Sequence, residues 1–205
     1  MKPDFKKEKE LWALGYNRVC GIDEAGRGAL AGPLVAAGVI LPPKIKCQFN
    51  DSKLIEADKR RVLFEKIKEI SLAFAVGIAS VEEINTFGIQ PATYIAYKRA
   101  YTSIKLEPSF ILVDHYRIPT CKIPQCAITF GDRLSQSIAA ASIVAKVTRD
   151  EIMISLHKEF PNYHLKQHKG YGTTKHFKQI EKYGLSKIHR KSFIDKRHTN
   201  QLDFI

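Results

Sequence analysis

Apolar and polar positions fall into short blocks along this chain, and the blocks predict strands alternating with helices. Val19–Asp23 and Leu34–Leu41 are apolar runs that read as strands covered on both faces, the second ended by Pro42 and Pro43, which cannot donate to a ladder. Asp4–Leu14 has helix-forming composition. In Asp58–Ile70, the positions Val62, Leu63, Lys66, Ile67 and Ile70 recur with the 3.6-residue period of a helix. Leu72–Ser80 follows as a strand, then helices over Val81–Phe87 and Pro91–Ile104, with Pro91 tolerated in a first turn. Phe110–Val113 and Ala127–Phe130 are further strands, and Ser135–Phe160 is the longest helix, its Ala139-Ala140-Ala141 segment suited to close packing on a sheet. After Pro161 come a glycine-containing loop, Lys169-Gly170-Tyr171-Gly172, and two short helices. The first two strands are joined too tightly for a crossover helix, so the class is α/β with a mixed sheet.

The length of 205 residues suits one compact unit, with a core over 1–160 and an appended segment over 161–205. An apolar fraction of 44% excludes a disordered chain. No apolar run approaches the ~20 residues of a membrane span, and the charged N-terminus lacks a signal-peptide core, so a cytoplasmic protein without a membrane role is expected. Cys20, Cys47, Cys121 and Cys126 lack zinc-site spacing and read as reduced thiols. A net charge of +12 favours a polyanionic partner. From His157 to Thr199, nine lysines and two arginines face three carboxylates and are interleaved with Phe160, Tyr163, Tyr171, Phe177, Tyr183 and Phe193. That mixture suits nucleic acid.

Inside this basic chain one pattern recurs: an apolar strand ends and a carboxylate follows. Val19–Ile22 leads to Asp23 and Glu24, Phe110–Val113 to Asp114, and Ala127–Phe130 to Asp132 after Gly131. Gathered at one end of a sheet, these four would repel each other unless a cation lay among them, and all-oxygen ligation favours Mg²⁺ or Mn²⁺. The competing reading is that each Asp caps a turn or helix; it is weakest for the adjacent Asp23 and Glu24, since a cap needs one carboxylate. Gly26-Arg27-Gly28 adds a turn in which backbone can approach a partner closely while a guanidinium reaches a phosphate. Spacing alone leaves the reaction open.

Gly21-Ile22-Asp23-Glu24-Ala25-Gly26-Arg27-Gly28, continued through Leu30-Ala31-Gly32-Pro33-Leu34-Val35-Ala36-Ala37, resembles the signature of bacterial ribonuclease HII, the type 2 ribonuclease H. Asp51-Ser52-Lys53, the alanine-rich stretch Ser137 to Asp150, His168-Lys169-Gly170-Tyr171-Gly172-Thr173 and His189-Arg190-Lys191-Ser192-Phe193 resemble further motifs of that family, in family order. The resemblance implies a ribonuclease H-like fold: a mixed five-stranded sheet flanked by helices, with a C-terminal helical segment that helps clamp a duplex. It implies two-metal hydrolysis of RNA paired with DNA, and incision 5′ of single ribonucleotides embedded in duplex DNA, leaving a 3′-hydroxyl and a 5′-phosphate. Asp23, Glu24, Asp114 and Asp132 become the catalytic, metal-binding carboxylates. Gly26, Arg27 and Gly28 would contact the ribonucleotide and its 2′-hydroxyl. Tyr171 would stack on the deoxyribose that follows. Ser52, Lys53 and Lys146 are implied phosphate contacts, with His168, Lys169 and Arg190 behind them.

The chain departs from the family pattern at Leu54, where a second lysine is usual, and at His115, where glycine is usual. His115 is expected to point to solvent. The tail Gln201-Leu202-Asp203-Phe204-Ile205 lacks the spacing of a sliding-clamp peptide, and a monomer is expected. Two rival readings are a ribonuclease HIII-like hybrid nuclease and a non-catalytic RNA-binding protein. The first would carry an N-terminal domain, for which the stretch before the first strand is too short. The second has no use for the acidic cluster.

Overall fold

The structure, a computed structural model, describes residues 2–43, 49, 56–119 and 121–194. Helix α1 (Lys6–Ala13) precedes strands β1 (Val19–Ala25) and β2 (Leu34–Ile40); α2 (Ala57–Ile70), β3 (Ala73–Ala79), α3 (Val81–Phe87) and α4 (Ile89–Thr102) follow. Then come β4 (Phe110–Asp114), β5 (Gln125–Ile128), α5 (Gln136–Glu159), α6 (Leu165–His168) and α7 (Thr174–Tyr183). One mixed sheet of five strands runs in the order β3-β2-β1-β4-β5. The short β1–β2 connection makes those strands antiparallel, as does the pairing of β2 with β3, whereas β4 and β5 run parallel to β1.

β1 and β2 are central and almost wholly buried, which explains their unbroken apolar character. Helix α5 lies against β1 and β2, and α4 packs on β1, β2 and β3. The α5 contact is unusually close: a Cβ on Gly21 would stand 2.1 Å from the Ser137 backbone carbonyl carbon. The buried alanines Ala139, Ala140, Ala141 and Ala145 keep that approach open along α5. The start of α5 is fixed by distant groups. Buried Glu8 of α1 accepts from Ser135 Oγ (2.6 Å) and the Ser137 amide (2.8 Å), and Ser135 caps the helix by accepting from the Ile138 amide. A separate cluster joins Leu30 and Ala31, from the β1–β2 loop, to Met153, Tyr163, Leu165, Ile180, Ile188 and Ile194. The C-terminal segment therefore shares a core with the loop that follows β1.

The differences from the sequence reading are local. β1 runs on to Ala25, so Asp23 and Glu24 lie within the strand and face opposite sides of the sheet. β5 ends at Ile128, because Phe130 takes a left-handed conformation with φ 57°. Val62, one of the positions that fit the helical period, is 69% exposed: α2 buries Ile67 and packs Leu63, Phe64 and Ile70 inward, which turns Val62 to solvent. Cys20, Cys121 and Cys126 are free thiols, and Cys47 lies outside the described residues. Among the described residues, no helix is long and apolar enough to cross a membrane.

Gly21→Ala places a methyl group against backbone that has no side chain to rotate away. The expected cost is about 3 kcal/mol or failure to fold, read as the shift in a urea unfolding midpoint.

Candidate active site

Asp23 is 4% exposed and lies on the α5 side of β1, where the Ser142 hydroxyl hydrogen-bonds its carboxylate. Its Oδ1 also accepts from the Glu24 amide at 2.7 Å. Glu24 faces the α4 side, where the phenol of fully buried Tyr97 donates to Glu24 Oε2. The parallel pairing of Ile22 with Val113 brings Asp114, the last residue of β4, alongside Asp23. Asp114 Oδ1 accepts from the Gly131 amide at 2.7 Å, which ties the turn Gly131–Arg133 and its buried Asp132 to the end of β4.

The electrostatics follow from this crowding. Burial, then the charges of Glu24 and Asp114, raise the Asp23 carboxyl well above its ordinary value. Burial and the Glu24 charge do the same to the Tyr97 phenol, which therefore stays protonated as a donor. A cleft of about 240 Å³ is lined by Asp23, Glu24, Asp114, the Gly26-Arg27-Gly28 turn, Ser142, Lys146 and Tyr171. Asp132 is 2% exposed and lies outside this lining. Among the described residues, no three His, Cys, Asp or Glu side chains are already drawn into a metal cage. The carboxylates that share the cleft nonetheless form an all-oxygen donor set of like charge, which fits a hard divalent cation.

The turn after β1 is held from beneath. Gly26 has φ 92°, and a Cβ there would strike the Arg149 guanidinium. Arg149 and Arg190 are both fully buried. Arg190 donates to Gly32 O (2.9 Å), Gly26 O (2.7 Å) and Arg27 O (3.1 Å), and Arg149 to Pro33 O, Ala31 O and Lys169 O at 2.9–3.1 Å. Arg27 bonds to Gln90 of α4, lies 4.8 Å from the Tyr116 ring centre and 3.9 Å from Glu24 Oε1. Half-buried Tyr171 sits over the guanidinium of Arg149 (5.2 Å) and the ammonium of Lys146 (5.7 Å).

Residues 20–196 match the family model for ribonuclease HII. The chain belongs to the ribonuclease HII family. It is 48% identical to ribonuclease HII of Desulfitobacterium hafniense over 202 residues, 98% of this chain and 77% of that protein. To ribonuclease HII of Dehalococcoides mccartyi it is 44% identical over 93% of this chain and 92% of the relative. The crystal structure of ribonuclease H2 from Pyrococcus horikoshii shares the fold, with a TM-score of 0.72 and 24% identity over 90% of this chain and 98% of that one. Membership makes the chain a ribonuclease H, a divalent-metal-dependent endonuclease acting on RNA/DNA hybrids.

Of the other residues that the sequence pointed to, Lys146 lines the cleft and pairs with Asp150 at 2.6 Å. Arg190 is turned inward onto backbone carbonyls. Lys169 lines a second cavity with Arg60, Arg61 and Asp150, while His168 bonds to the Tyr163 carbonyl. Ser52, Lys53 and Leu54 lie outside the described residues, as does the 201–205 tail. His115 is exposed, and its φ of 65° explains why glycine suits that position. Tyr97, Ser142, Gln90, Tyr116 and Arg149 were not singled out. Only Ser142 and Arg149 carried a signal, as polar residues four before and three after Lys146 on one helix face.

A carboxyl whose folded value is raised destabilises the fold once it ionises. For Asp23 this penalty is absent below its unfolded value and complete above its raised folded value. In EDTA at pH 8, Asp23→Asn should therefore be more stable than the parent by about 1–2 kcal/mol, with the gap closing as pH falls. Mg²⁺ should raise the melting temperature of the parent more than that of the variant.

Proposed function

We propose that this ribonuclease H incises on the 5′ side of a ribonucleotide, single ribonucleotides embedded in duplex DNA included. By the same chemistry it removes primer RNA, leaving a 3′-hydroxyl and a 5′-phosphate. The observation that carries this reading is that the Gly26-Arg27-Gly28 turn and Tyr171 line the same cleft as Asp23, Glu24 and Asp114. A group that can recognise ribose thus adjoins a group of like charges suited to cations.

Asp23, Glu24, Asp114 and Asp132 are the residues that would hold two divalent cations, Mg²⁺ or Mn²⁺. When bound, such a pair activates water and stabilises the leaving oxygen of a phosphodiester. The chain's part is to keep the carboxylates aimed: Ser142 on Asp23, Tyr97 on Glu24 and the Gly131 amide on Asp114 each restrict one of them. Asp132 belongs to the turn that supplies the Gly131 amide, next to the end of β4. Gly26 and Gly28 lack a Cβ, so backbone can approach a 2′-hydroxyl, the group that separates RNA from DNA. Arg27, steadied by Gln90 and Tyr116, offers a guanidinium to the adjoining phosphate. Tyr171 stacks on the deoxyribose 3′ of the ribonucleotide, and Lys146, Ser52 and Lys53 meet flanking phosphates. The C-terminal segment from 161 onward adds positive charge along the duplex.

The test uses purified protein with Mg²⁺ or Mn²⁺ and three substrates: duplex DNA containing one ribonucleotide, an RNA/DNA hybrid, and single-stranded RNA. The first is cut on the 5′ side of the ribonucleotide, the second along its RNA strand, and the third not at all. Asp23→Asn abolishes cleavage while duplex affinity stays within about threefold. Retained cleavage by this variant would remove Asp23 from the metal set, and an uncut single-ribonucleotide duplex would remove the incision reading.

A further inference from the structure

Tyr171 belongs to a loop whose backbone bonds to His168 and His176, with His189 behind His176. His168 is half-buried, and His176 and His189 are buried. Their protons can be placed from backbone donors alone. The Ser186 amide donates to His189 Nδ1 at 3.0 Å, so the His189 proton is on Nε2. That nitrogen lies 3.2 Å from His176 Nε2, which must then accept, leaving the His176 proton on Nδ1. His176 Nδ1 stands 3.0 Å from the carbonyl oxygen of Tyr171 and donates to it. In parallel, the Gly170 amide donates to His168 Nδ1 (3.2 Å), and His168 Nε2 donates to the Tyr163 carbonyl (2.8 Å). The His168 and His176 rings are stacked, with centroids 4.3 Å apart and planes 21° apart. Burial pushes all three rings below the ordinary imidazole value, His176 to about 4, so each is neutral near pH 7.

We infer that His176 is a positioning residue for Tyr171: the chain Ser186 amide–His189–His176–Tyr171 carbonyl sets where the phenol stands over the cleft. The other side of the loop is anchored separately. Gly170 O accepts from the Leu30 and Ala31 amides at 2.8 and 3.2 Å, which ties it to the segment that follows Gly26-Arg27-Gly28. With Gly170 O held by the β1–β2 loop and Tyr171 O by His176 and by the Thr173 amide (2.8 Å), the tyrosine backbone is fixed between the two. Phenylalanine at position 176 would keep the stacked shape and remove both hydrogen bonds. Asparagine would retain an N–H near the Tyr171 carbonyl and lose the link to His189. The inference rests on the reading that Tyr171 contacts substrate.

A double-mutant cycle on incision of duplex DNA containing one ribonucleotide tests it. Tyr171→Ala and His176→Phe each lower kcat/KM by about tenfold, and the combined variant falls no further than Tyr171→Ala alone, within about twofold. His176→Asn recovers part of the loss. If the His176→Phe loss persists undiminished beside Tyr171→Ala, the histidine does not act through the tyrosine and the inference fails. Full activity of His176→Phe alongside an impaired Tyr171→Ala overturns the inference and leaves the tyrosine reading standing. Full activity of Tyr171→Ala removes both. The parent protein gives a second measurement that no folding defect can obscure. Its long-range ¹H–¹⁵N spectrum should show His176 protonated on Nδ1 and His189 on Nε2, and the opposite tautomers would also overturn the inference.

Discussion

Two guanidinium groups sealed beneath the β1–β2 loop are the constraint on which the rest of the site depends. Arg149 and Arg190 are fully buried, and between them they donate to the carbonyls of Gly26, Arg27, Ala31, Gly32, Pro33 and Lys169. Burial lowers both from the ordinary arginine value, and Arg190, at about 9, remains charged at neutral pH. A buried charge without partners is costly, and five carbonyls of the loop, with that of Lys169, supply the partners here. The loop so held presents the Gly26–Gly28 turn beside Asp23 and Glu24. Arg149 also underlies the ring of Tyr171. Two internal cations thus link the carboxylate end of β1, the glycine turn and the aromatic that faces them.

The carboxylates depend on a different principle, strand direction. β1 and β4 are parallel, so their C-terminal ends lie together and Asp23 meets Asp114 without any loop having to bring them there. The antiparallel partner β2 contributes no carboxylate at this end; it starts there, from the loop the arginines hold. Each acidic side chain is aimed by a donor from a separate element: Ser142 on α5, Tyr97 on α4 and the Gly131 amide beyond β5. The sheet gathers the like charges, and the surrounding elements keep them apart in orientation.

Much of this was readable from residue order. Apolar runs ending in Asp23-Glu24, Asp114 and Gly131-Asp132 located the strand ends, and the short gap before Leu34 foretold the antiparallel pair. The unread parts share a physical cause. Val62 fitted a helical period, but a period allows more than one face, and only packing against α5 selects Phe64 instead. Tyr97 on an apolar helix face reads as core, and its one polar atom meets Glu24 only across a folded interior. Arginine reads as a surface or phosphate-binding residue, so Arg190 looked like a substrate contact; its inward turn depends on carbonyls contributed by the β1–β2 loop. The histidines at 168, 176 and 189 have no common sequence period, because they meet from the end of α6, from α7 and from the segment after α7.

The inward turn of Arg190 also orders events during synthesis. Asp23, Glu24 and the glycine turn are among the first residues made, whereas Arg190, which locks that turn, is near the end of the described chain. At about 5–20 residues per second, many seconds separate the two. A nascent chain still on the ribosome therefore carries the acidic pair without the clamp that shapes its neighbour. The bonds that hold the turn can form only once residue 190 has been made, so the last part of the chain completes what the first part begins.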